Sequence, residues 1–293
     1  MPHAGKTWLL GALAEAAHSQ QHRLHGRLVL VSKGLEQLRH EVYDQRAHRS
    51  TLGEIVPYDA RYEPLDSATS AWEVTLIDCE GRRANELLAQ ARAWQAADRD
   101  GSLAQALLEA DALLLVVDVA DEPPQLDADF SQFHRFLQQL EEHRGRRAAV
   151  GGLPVWLVLT KCDLLAQPGD GAADWMERIE ERKREVDRRF RAFRPGGSAT
   201  ELPAFGRIEL HLWATAVMRP ALGGIPAQPR EPYGVAELFR HCFEEAAQFR
   251  RRGGRAQRRR RAPRRGRAPG VVGMVLRAGA VARRHQTAPR RRE

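Results

Sequence analysis

The sequence predicts an α/β protein in which a mostly parallel sheet is covered by helices. Four apolar runs have the length and composition of buried strands, at residues 74–77, 113–119, 155–159 and 208–213. A polar or glycine-bearing segment follows each run, and stretches of helical period lie between the runs. Strands that alternate with helices over this length indicate a doubly wound sheet.

Helical periodicity is found at residues 8–17, 130–142, 175–193 and 235–249. The second and third of these stretches have apolar stripes, which are Phe133, Phe136, Leu137 and Leu140, and Trp175, Ile179, Val186, Phe190 and Phe193. Because residues three and four apart share one face of a helix, we expect these amphipathic helices to pack their stripes on the sheet.

The region of residues 27–64 departs from this alternation. It holds a short apolar run at 28–31, a charged helical stretch at 34–46 and a candidate edge strand at 57–65. We interpret it as a variable insertion in one domain that spans residues 1–249.

The charge of the chain is divided unevenly. Residues 250–293 contain 17 arginines and one acidic residue, whereas residues 1–249 carry 29 basic and 37 acidic side chains. A segment rich in Arg, Gly and Pro buries too little apolar surface to offset its ordering entropy, so we expect a disordered tail. The apolar run at 271–276 is expected to stay loose within it, rather than to enter a sheet as a strand.

The tail favours nucleic acid or an anionic membrane as a partner, since its arginines would neutralise phosphates in a salt-dependent way. It lacks interleaved aromatic side chains for base stacking, and a simply solvated tail is an equal alternative. Cys79, Cys162 and Cys242 have neither zinc-ligand spacing nor a disulfide pattern, and no apolar run reaches the ~18 residues that span a bilayer. A cytoplasmic protein without a transmembrane segment is expected.

The first segment with chemical character is Gly5-Lys6-Thr7, which leads into the predicted helix. It matches the end of the phosphate-binding loop G-x-x-x-x-G-K-[ST], in which backbone N–H groups at a helix N-terminus meet phosphate. The lysine of such a loop reaches the β- and γ-phosphates, and its hydroxyl residue binds magnesium. A tripeptide alone also occurs by chance. Counted backwards, the first glycine of the loop would precede Met1.

The second segment, Asp78-Cys79-Glu80-Gly81, follows the predicted strand 74–77. A carboxylate at the end of a strand can hold magnesium, and the glycine N–H can approach a γ-phosphate. A strand followed by an acidic turn is the alternative interpretation. The position of this segment after Gly5-Lys6-Thr7 favours the metal site.

The third segment contains Thr160, Lys161 and Asp163 and directly follows the strand 155–159. A carboxylate here can accept two hydrogen bonds from the edge of guanine, whereas adenine presents the wrong pattern of donors. The lysine side chain can lie along the base. These residues therefore predict specificity for guanine over adenine.

A fourth, shorter segment consists of Ala214, Thr215 and Ala216 after the strand 208–213. A backbone N–H of this segment could meet the oxygen of guanine. The match is unspecific by itself and depends on the other three.

In this order and context, the four segments resemble the G1, G3, G4 and G5 motifs of the translation-factor and Ras-like (TRAFAC) P-loop GTPases. The resemblance covers residues 1–249, and the TKxD form of the third segment also occurs in dynamin-like members. The insertion at 27–46 is similar to those of bacterial members. The resemblance implies a three-layer P-loop NTPase sheet that binds GTP or GDP with Mg²⁺.

The resemblance also implies roles for individual residues. Gly5 and Thr160 would line the nucleotide site, and Thr215 with Ala216 would meet guanine. The implied contacts are Lys6 with the β- and γ-phosphates, Thr7 and Asp78 with magnesium, Gly81 with the γ-phosphate, and Lys161 with Asp163 on the base.

Two departures from the family affect catalysis and folding. Arg82 stands where the family often has a glutamine that orients water; it cannot take a proton, although it could stabilise charge on the phosphoryl group. The central strand before the phosphate loop is missing from the given chain, and a buried parallel sheet does not easily lose such a strand. We therefore expect the natural start to lie upstream.

Thr51 is the candidate switch threonine for magnesium and catalysis, with Ser50 as its alternative.

The sequence thus predicts a GTP-binding switch that hydrolyses GTP to GDP, slowly unless an activating protein partner assists. A pseudo-GTPase scaffold that holds the nucleotide without useful turnover is one alternative, and Arg82 favours it. A nucleic-acid-binding protein that acts through residues 250–293 is another.

Overall fold

The fold is taken from a computed structural model of the chain. The structure describes residues 4–31, 33–45, 55–66, 70–79, 103–147, 153–192, 201–202, 206–207, 210–258, 274–275 and 277–280. Thr51, Ser50, Glu80, Gly81 and Arg82 lie outside these residues.

Within the described residues, the first of two four-stranded sheets has the order β1-β2-β3-β10. Its strands are β1 (Gly26–Leu30), β2 (Ile55–Pro64), β3 (Trp72–Cys79) and β10 (Arg277–Ala280), and all neighbours are antiparallel. The predicted edge position for residues 57–65 is wrong, because β2 lies between β1 and β3. So few residues separate β2 from β3 that the two can pair only as antiparallel neighbours.

The second sheet has the order β8-β5-β4-β9. Its core is three parallel strands, β4 (Leu113–Asp118), β5 (Val155–Thr160) and β8 (Leu210–Ala214), and β9 (Met274–Val275) pairs antiparallel with β4. The α/β class is confirmed. The run at 74–77 also forms a strand, β3, but in the antiparallel sheet. A separate two-stranded sheet pairs β6 (Glu201–Leu202) with β7 (Gly206–Arg207).

The helices surround these sheets. They are α1 (Lys6–Ser19), α2 (Gln21–Leu24), α3 (Lys33–His40), α4 (Leu103–Leu108), α5 (Pro123–Arg147), α6 (Ala172–Ala192) and α7 (Val235–Arg258). A turn of π-helix (Glu41–Gln45) extends α3, and a 3₁₀ turn (Cys162–Leu165) follows β5. None of the helices in the described part of the chain combines the length and apolar character needed to cross a bilayer.

Helix α1 is buried more completely than its predicted amphipathic pattern indicates. Every residue from 9 to 17 is buried, since α3 packs on one side of the helix and α2 and α7 on others. Gly11 permits the close crossing, because a Cβ there would lie 2.6 Å from a methyl group of Val42. The predicted apolar stripes of α5 and α6 are confirmed by the burial of their members, apart from Phe193, which lies outside the described residues.

Two parts of residues 250–293, which were expected to form no secondary structure, contain helix and strand. Helix α7 continues beyond residue 249 to Arg258. Met274 pairs with Leu114 of β4, while residues 277–280 pair with residues 72–75 of β3. Met274 and Val275 of the run at 271–276 thus form a strand, because the edges of β3 and β4 offer backbone donors and acceptors that require partners.

The junction between β8 and α7 depends on Gly234. This residue has φ of 69°, and a Cβ built on it would lie 2.3 Å from the carbonyl oxygen of Ala214. Its own carbonyl accepts a hydrogen bond of 2.7 Å from the indole of Trp213. Both the left-handed conformation and the close approach therefore require glycine.

We expect Gly234→Ala to lower the free energy of unfolding by about 2 to 4 kcal/mol, through backbone strain and the clash with Ala214. Gly224→Ala is the matched control, because Gly224 has φ of 83° with nothing within 4 Å of its built Cβ. It should cost roughly 1 kcal/mol, the strain alone. Urea unfolding measures both; equal losses would remove the clash from the explanation.

Candidate functional site

The site begins at the N-terminus of α1, where Gly5 has φ of 76° and precedes the first helical residue. A Cβ at this position would lie 3.5 Å from the hydroxyl oxygen of Thr160, an ordinary contact, so glycine is favoured here by conformation rather than by space. The first N–H groups of a helix have no partner within the helix and carry partial positive charge. The start of α1 is therefore suited to an anion such as phosphate.

Thr160, the last residue of β5, joins this helix start to the sheet. Its hydroxyl oxygen lies 2.8 Å from the carbonyl oxygen of Ala4 and 3.0 Å from that of Val117. A hydroxyl has a single proton, so the two carbonyls share it as acceptors. The residue before Gly5 is thereby held against the carboxyl ends of β4 and β5.

The two candidate metal ligands on described residues contact each other. The hydroxyl of Thr7 donates a hydrogen bond of 2.6 Å to a carboxylate oxygen of Asp78, although the residues are 71 positions apart. Asp78 is buried near the end of β3. Hydroxyl and carboxylate oxygens are the ligand types that Mg²⁺ takes, so this pair fits that ion. Thr51, the third predicted ligand, lies outside the described residues.

Lys161 has an unusual backbone and a paired ammonium group. Its φ is 61°, which is uncommon for a residue with a side chain, and it precedes the 3₁₀ turn that contains Asp163. Its ammonium forms an ion pair with the carboxylate of Asp118 at the end of β4. The other oxygen of Asp118 accepts a hydrogen bond of 2.9 Å from the N–H of Ala120. This pair fixes the lysine across the ends of two parallel strands.

Thr215 and Ala216 lie beside this turn, where their backbones are already engaged. The N–H of Thr215 donates to Leu159 at 2.7 Å, and that of Ala216 donates to Tyr233 at 3.1 Å. The carbonyl of Thr215 accepts from the N–H of Cys162 at 3.1 Å. Both N–H groups therefore already have backbone acceptors, and the two residues form part of the cavity wall.

A cavity of about 380 Å³ lies where these segments meet. Six predicted nucleotide-site residues line it: Gly5, Thr160, Lys161, Asp163, Thr215 and Ala216. Its volume falls within the roughly 300–1,000 Å³ usual for small-molecule sites. Lys6 is on the first turn of α1 but is not among the lining residues, and Gly81 lies outside the described part of the chain.

Four further residues complete the wall: Trp8, Leu9, Leu164 and Val217. None of them was predicted from the sequence, although each lies within two positions of a predicted site residue. Trp8 follows Thr7 directly, and Leu164 follows Asp163. Position beside a motif was the only signal available for them, because apolar residues at these places equally fit a core.

The carboxylate of Asp163 lies at the cavity with incomplete hydrogen bonding. One of its carboxylate oxygens is buried without a hydrogen-bond partner among the described residues. Burial raises the pKa of Asp163, partly opposed by a hydrogen bond from its own backbone and by the charge of Lys161. A buried acceptor without a donor costs free energy, which a ligand with matching N–H groups would recover.

Among the described residues, no group of three or more His, Cys, Asp or Glu side chains is placed to hold a metal ion. A magnesium site does not need three such side chains, because Mg²⁺ keeps several waters and can be held by one hydroxyl, one carboxylate and the phosphates of a ligand. Comparisons with protein-family models, with curated proteins and with solved structures find no match for this chain.

We expect Asp163→Asn to stabilise the protein without ligand at pH 7. A raised pKa in the folded state means that folding is favoured while the carboxyl is protonated, and that this advantage is lost as pH rises through the window between the unfolded and folded pKa values. The gain should therefore vanish below the unfolded pKa of about 4. Urea unfolding at pH 7 and pH 3.5 measures it.

Glu177→Gln, on an exposed position of α6, provides the matched charge removal and should not reproduce the gain. A loss of stability in Asp163→Asn at pH 7 would show that the carboxylate has protein partners that compensate for its burial.

Proposed function

We propose that this chain binds guanine nucleotide with magnesium in the cavity at the start of α1 and acts as a GTP-dependent switch. The observation that carries the proposal is the convergence of Gly5, Thr160, Lys161, Asp163 and the Thr215–Ala216 wall on one cavity. These residues come from three distant parts of the chain: Gly5 belongs to the predicted phosphate loop, and the other two segments belong to the predicted base-binding part of the site.

Guanine fits the polar groups of the cavity better than adenine does. Its edge presents an N–H and an NH₂ group next to each other, and a carboxylate accepts from both. Asp163 has a buried oxygen that requires such a donor. Adenine has no equivalent pair and would leave the acceptor buried and unpaired, which is a basis for discrimination.

The phosphates belong at the N-terminus of α1, with Lys6 as their cation. Thr7 and Asp78 would hold Mg²⁺, which would neutralise charge on the phosphates. This assignment extends the observed α/β arrangement to a proposed three-layer P-loop fold. In that fold, the antiparallel β1-β2-β3 unit carries Asp78, and the parallel β4-β5-β8 unit carries the base-binding segments.

We propose that hydrolysis to GDP is slow without an activating protein. Arg82 follows Gly81 in the sequence, and a guanidinium has donors only, so it cannot accept a proton from water. It could stabilise charge on the phosphoryl group instead.

Base specificity can be measured by titrating the protein with GDP, GTP, ATP and xanthosine diphosphate (XDP). The unmutated protein should bind guanine nucleotides at least about tenfold more tightly than ATP, the difference expected from one or two charge-assisted hydrogen bonds. Asp163→Asn should weaken GDP by about 10- to 100-fold and gain XDP, whose base has an oxygen where guanine has NH₂. Asp174→Asn, on the exposed start of α6, should change neither ratio. Equal binding of ATP and GTP would contradict the proposal.

The magnesium prediction concerns Thr7. Thr7→Ala should reduce the enhancement of GTP affinity by Mg²⁺ about tenfold or more, because one ligand oxygen is lost. Thr75→Ala is the control, since that hydroxyl on the same strand as Asp78 donates to the carboxylate of Asp59 at 2.8 Å, an exposed bond. Titrations with and without Mg²⁺ measure both variants. An equal magnesium effect in Thr7→Ala and the unmutated protein would remove Thr7 from the metal site.

A further inference from the structure

The cavity is tied to the insertion by a hydrogen bond that no sequence motif marks. Tyr43 lies in the π turn after α3, and its hydroxyl donates a bond of 2.7 Å to the backbone carbonyl of Val217. Val217 lines the cavity immediately after Thr215 and Ala216. Residues 174 positions apart are thus joined directly at the cavity wall.

The phenol of Tyr43 stays a donor over the whole physiological range. Burial raises its pKa, and the nearby charge of Glu15 raises it further. The neutral O–H is therefore always available to Val217. This bond is a fixed mechanical link, and it does not act as a pH-sensitive switch.

A cluster of charges reinforces the same connection. Glu15 of α1 has a side chain only 3 % exposed, and its carboxylate lies 3.4 Å from Arg39 of α3 and 3.6 Å from Arg230. Arg230 belongs to the segment between β8 and α7 that begins at the cavity wall, and it also pairs with Asp44 next to Tyr43. A nearly buried acid between two arginines holds α1, α3 and this segment together, since separating them would leave its charge uncompensated.

The π turn carries both Tyr43, which contacts Val217, and Asp44, which contacts Arg230. Such a turn is rare within helices and is often found at functional sites, because it inserts an extra residue in the hydrogen-bond ladder. Val42 of the same turn packs against Gly11 of α1. The chain then continues toward Thr51, which lies outside the described residues.

We propose that Tyr43 is a positioning residue that couples occupancy of the cavity to the conformation of residues 33–45. The proposal rests on the proposed function, because it takes guanine nucleotide as the occupant. A ligand that fixes the wall at Thr215–Val217 also fixes the carbonyl to which Tyr43 donates. The hydrogen bond from Tyr43 then holds the π turn in one position. By linkage, a change at Tyr43 alters nucleotide affinity by the same factor as the nucleotide alters the stability of the Tyr43 contact.

The test compares Tyr43→Phe with Tyr62→Phe in the full chain. Both changes remove one phenol that donates to a backbone carbonyl, to Val217 at 2.7 Å and to Leu24 at 2.8 Å. Tyr62 is in β2 and does not line the cavity of about 380 Å³. The pair therefore separates coupling from a general loss of stability.

The probe is GDP with Mg²⁺. Titration measures its affinity, and hydrogen–deuterium exchange measures its effect on residues 33–45. Tyr43→Phe should weaken GDP about three- to tenfold, the effect of one neutral hydrogen bond, while Tyr62→Phe leaves affinity unchanged. GDP should slow exchange at residues 33–45 in the unmutated protein and in Tyr62→Phe, but not in Tyr43→Phe. Equal GDP affinities and equal protection in the two variants would overturn the coupling while leaving the proposed function intact. Absence of GDP binding to the unmutated protein would overturn both.

A second pair of variants tests the charged part of the link. Arg230→Gln removes the contacts to Glu15 and Asp44, whereas Arg219→Gln removes a pair with Glu231 at 3.4 Å within the same segment. Arg230→Gln should weaken GDP and reduce protection of residues 33–45 in the same direction as Tyr43→Phe. Equal GDP affinity and equal protection of residues 33–45 in the two arginine variants would contradict the role of Arg230 in the coupling.

Discussion

The close contact between the start of α1 and the ends of the parallel strands is the constraint on which the site depends. Thr160 holds the carbonyl of Ala4 beside that of Val117, so moving the helix start away from β4 and β5 would cost the buried carbonyl of Ala4 this donor. Gly5 makes the turn between this anchor and the helix, with a left-handed backbone. Through this one contact, the N–H groups of α1 face the same space as the loops after β5 and β8.

The walls of the cavity follow from parallel strand pairing. β4, β5 and β8 run in one direction, so the segments after them emerge at one edge of the sheet. Asp118, Lys161 and Thr215 are brought together there without any proximity in the sequence. The cost of the arrangement is concentrated at Asp163, whose buried oxygen lacks a donor within the described part of the chain, and at Lys161, whose backbone is left-handed. Unfavourable local states of this kind are often found at binding sites, where a ligand can offset them.

The insertion contributes to the site through α1 rather than through the sheet alone. Its strands β1 and β2 extend the sheet that carries Asp78, while α3 and the π turn pack on α1 near Gly11. A helix packed on several sides transmits a displacement at its N-terminus to each neighbour, because close-packed interiors leave little free volume. The surroundings of the cavity therefore include α3 and the π turn, which lie between the first and second predicted motifs in the sequence.

The sequence by itself determined the local properties of this protein. Apolar runs located β3, β4, β5 and β8, and periodicity located the buried stripes of α5 and α6, because both signals depend on neighbours in the chain. The types and order of Gly5, Lys6, Thr7, Lys161 and Asp163 also defined the candidate chemistry. Only the tertiary structure decided that β3 pairs antiparallel, that residues 274–275 and 277–280 supply strands, and that Thr7 contacts Asp78. It also decided that Trp8 and Val217 complete the cavity and that Tyr43 reaches it, since contacts across tens or hundreds of residues leave no periodic trace in the sequence.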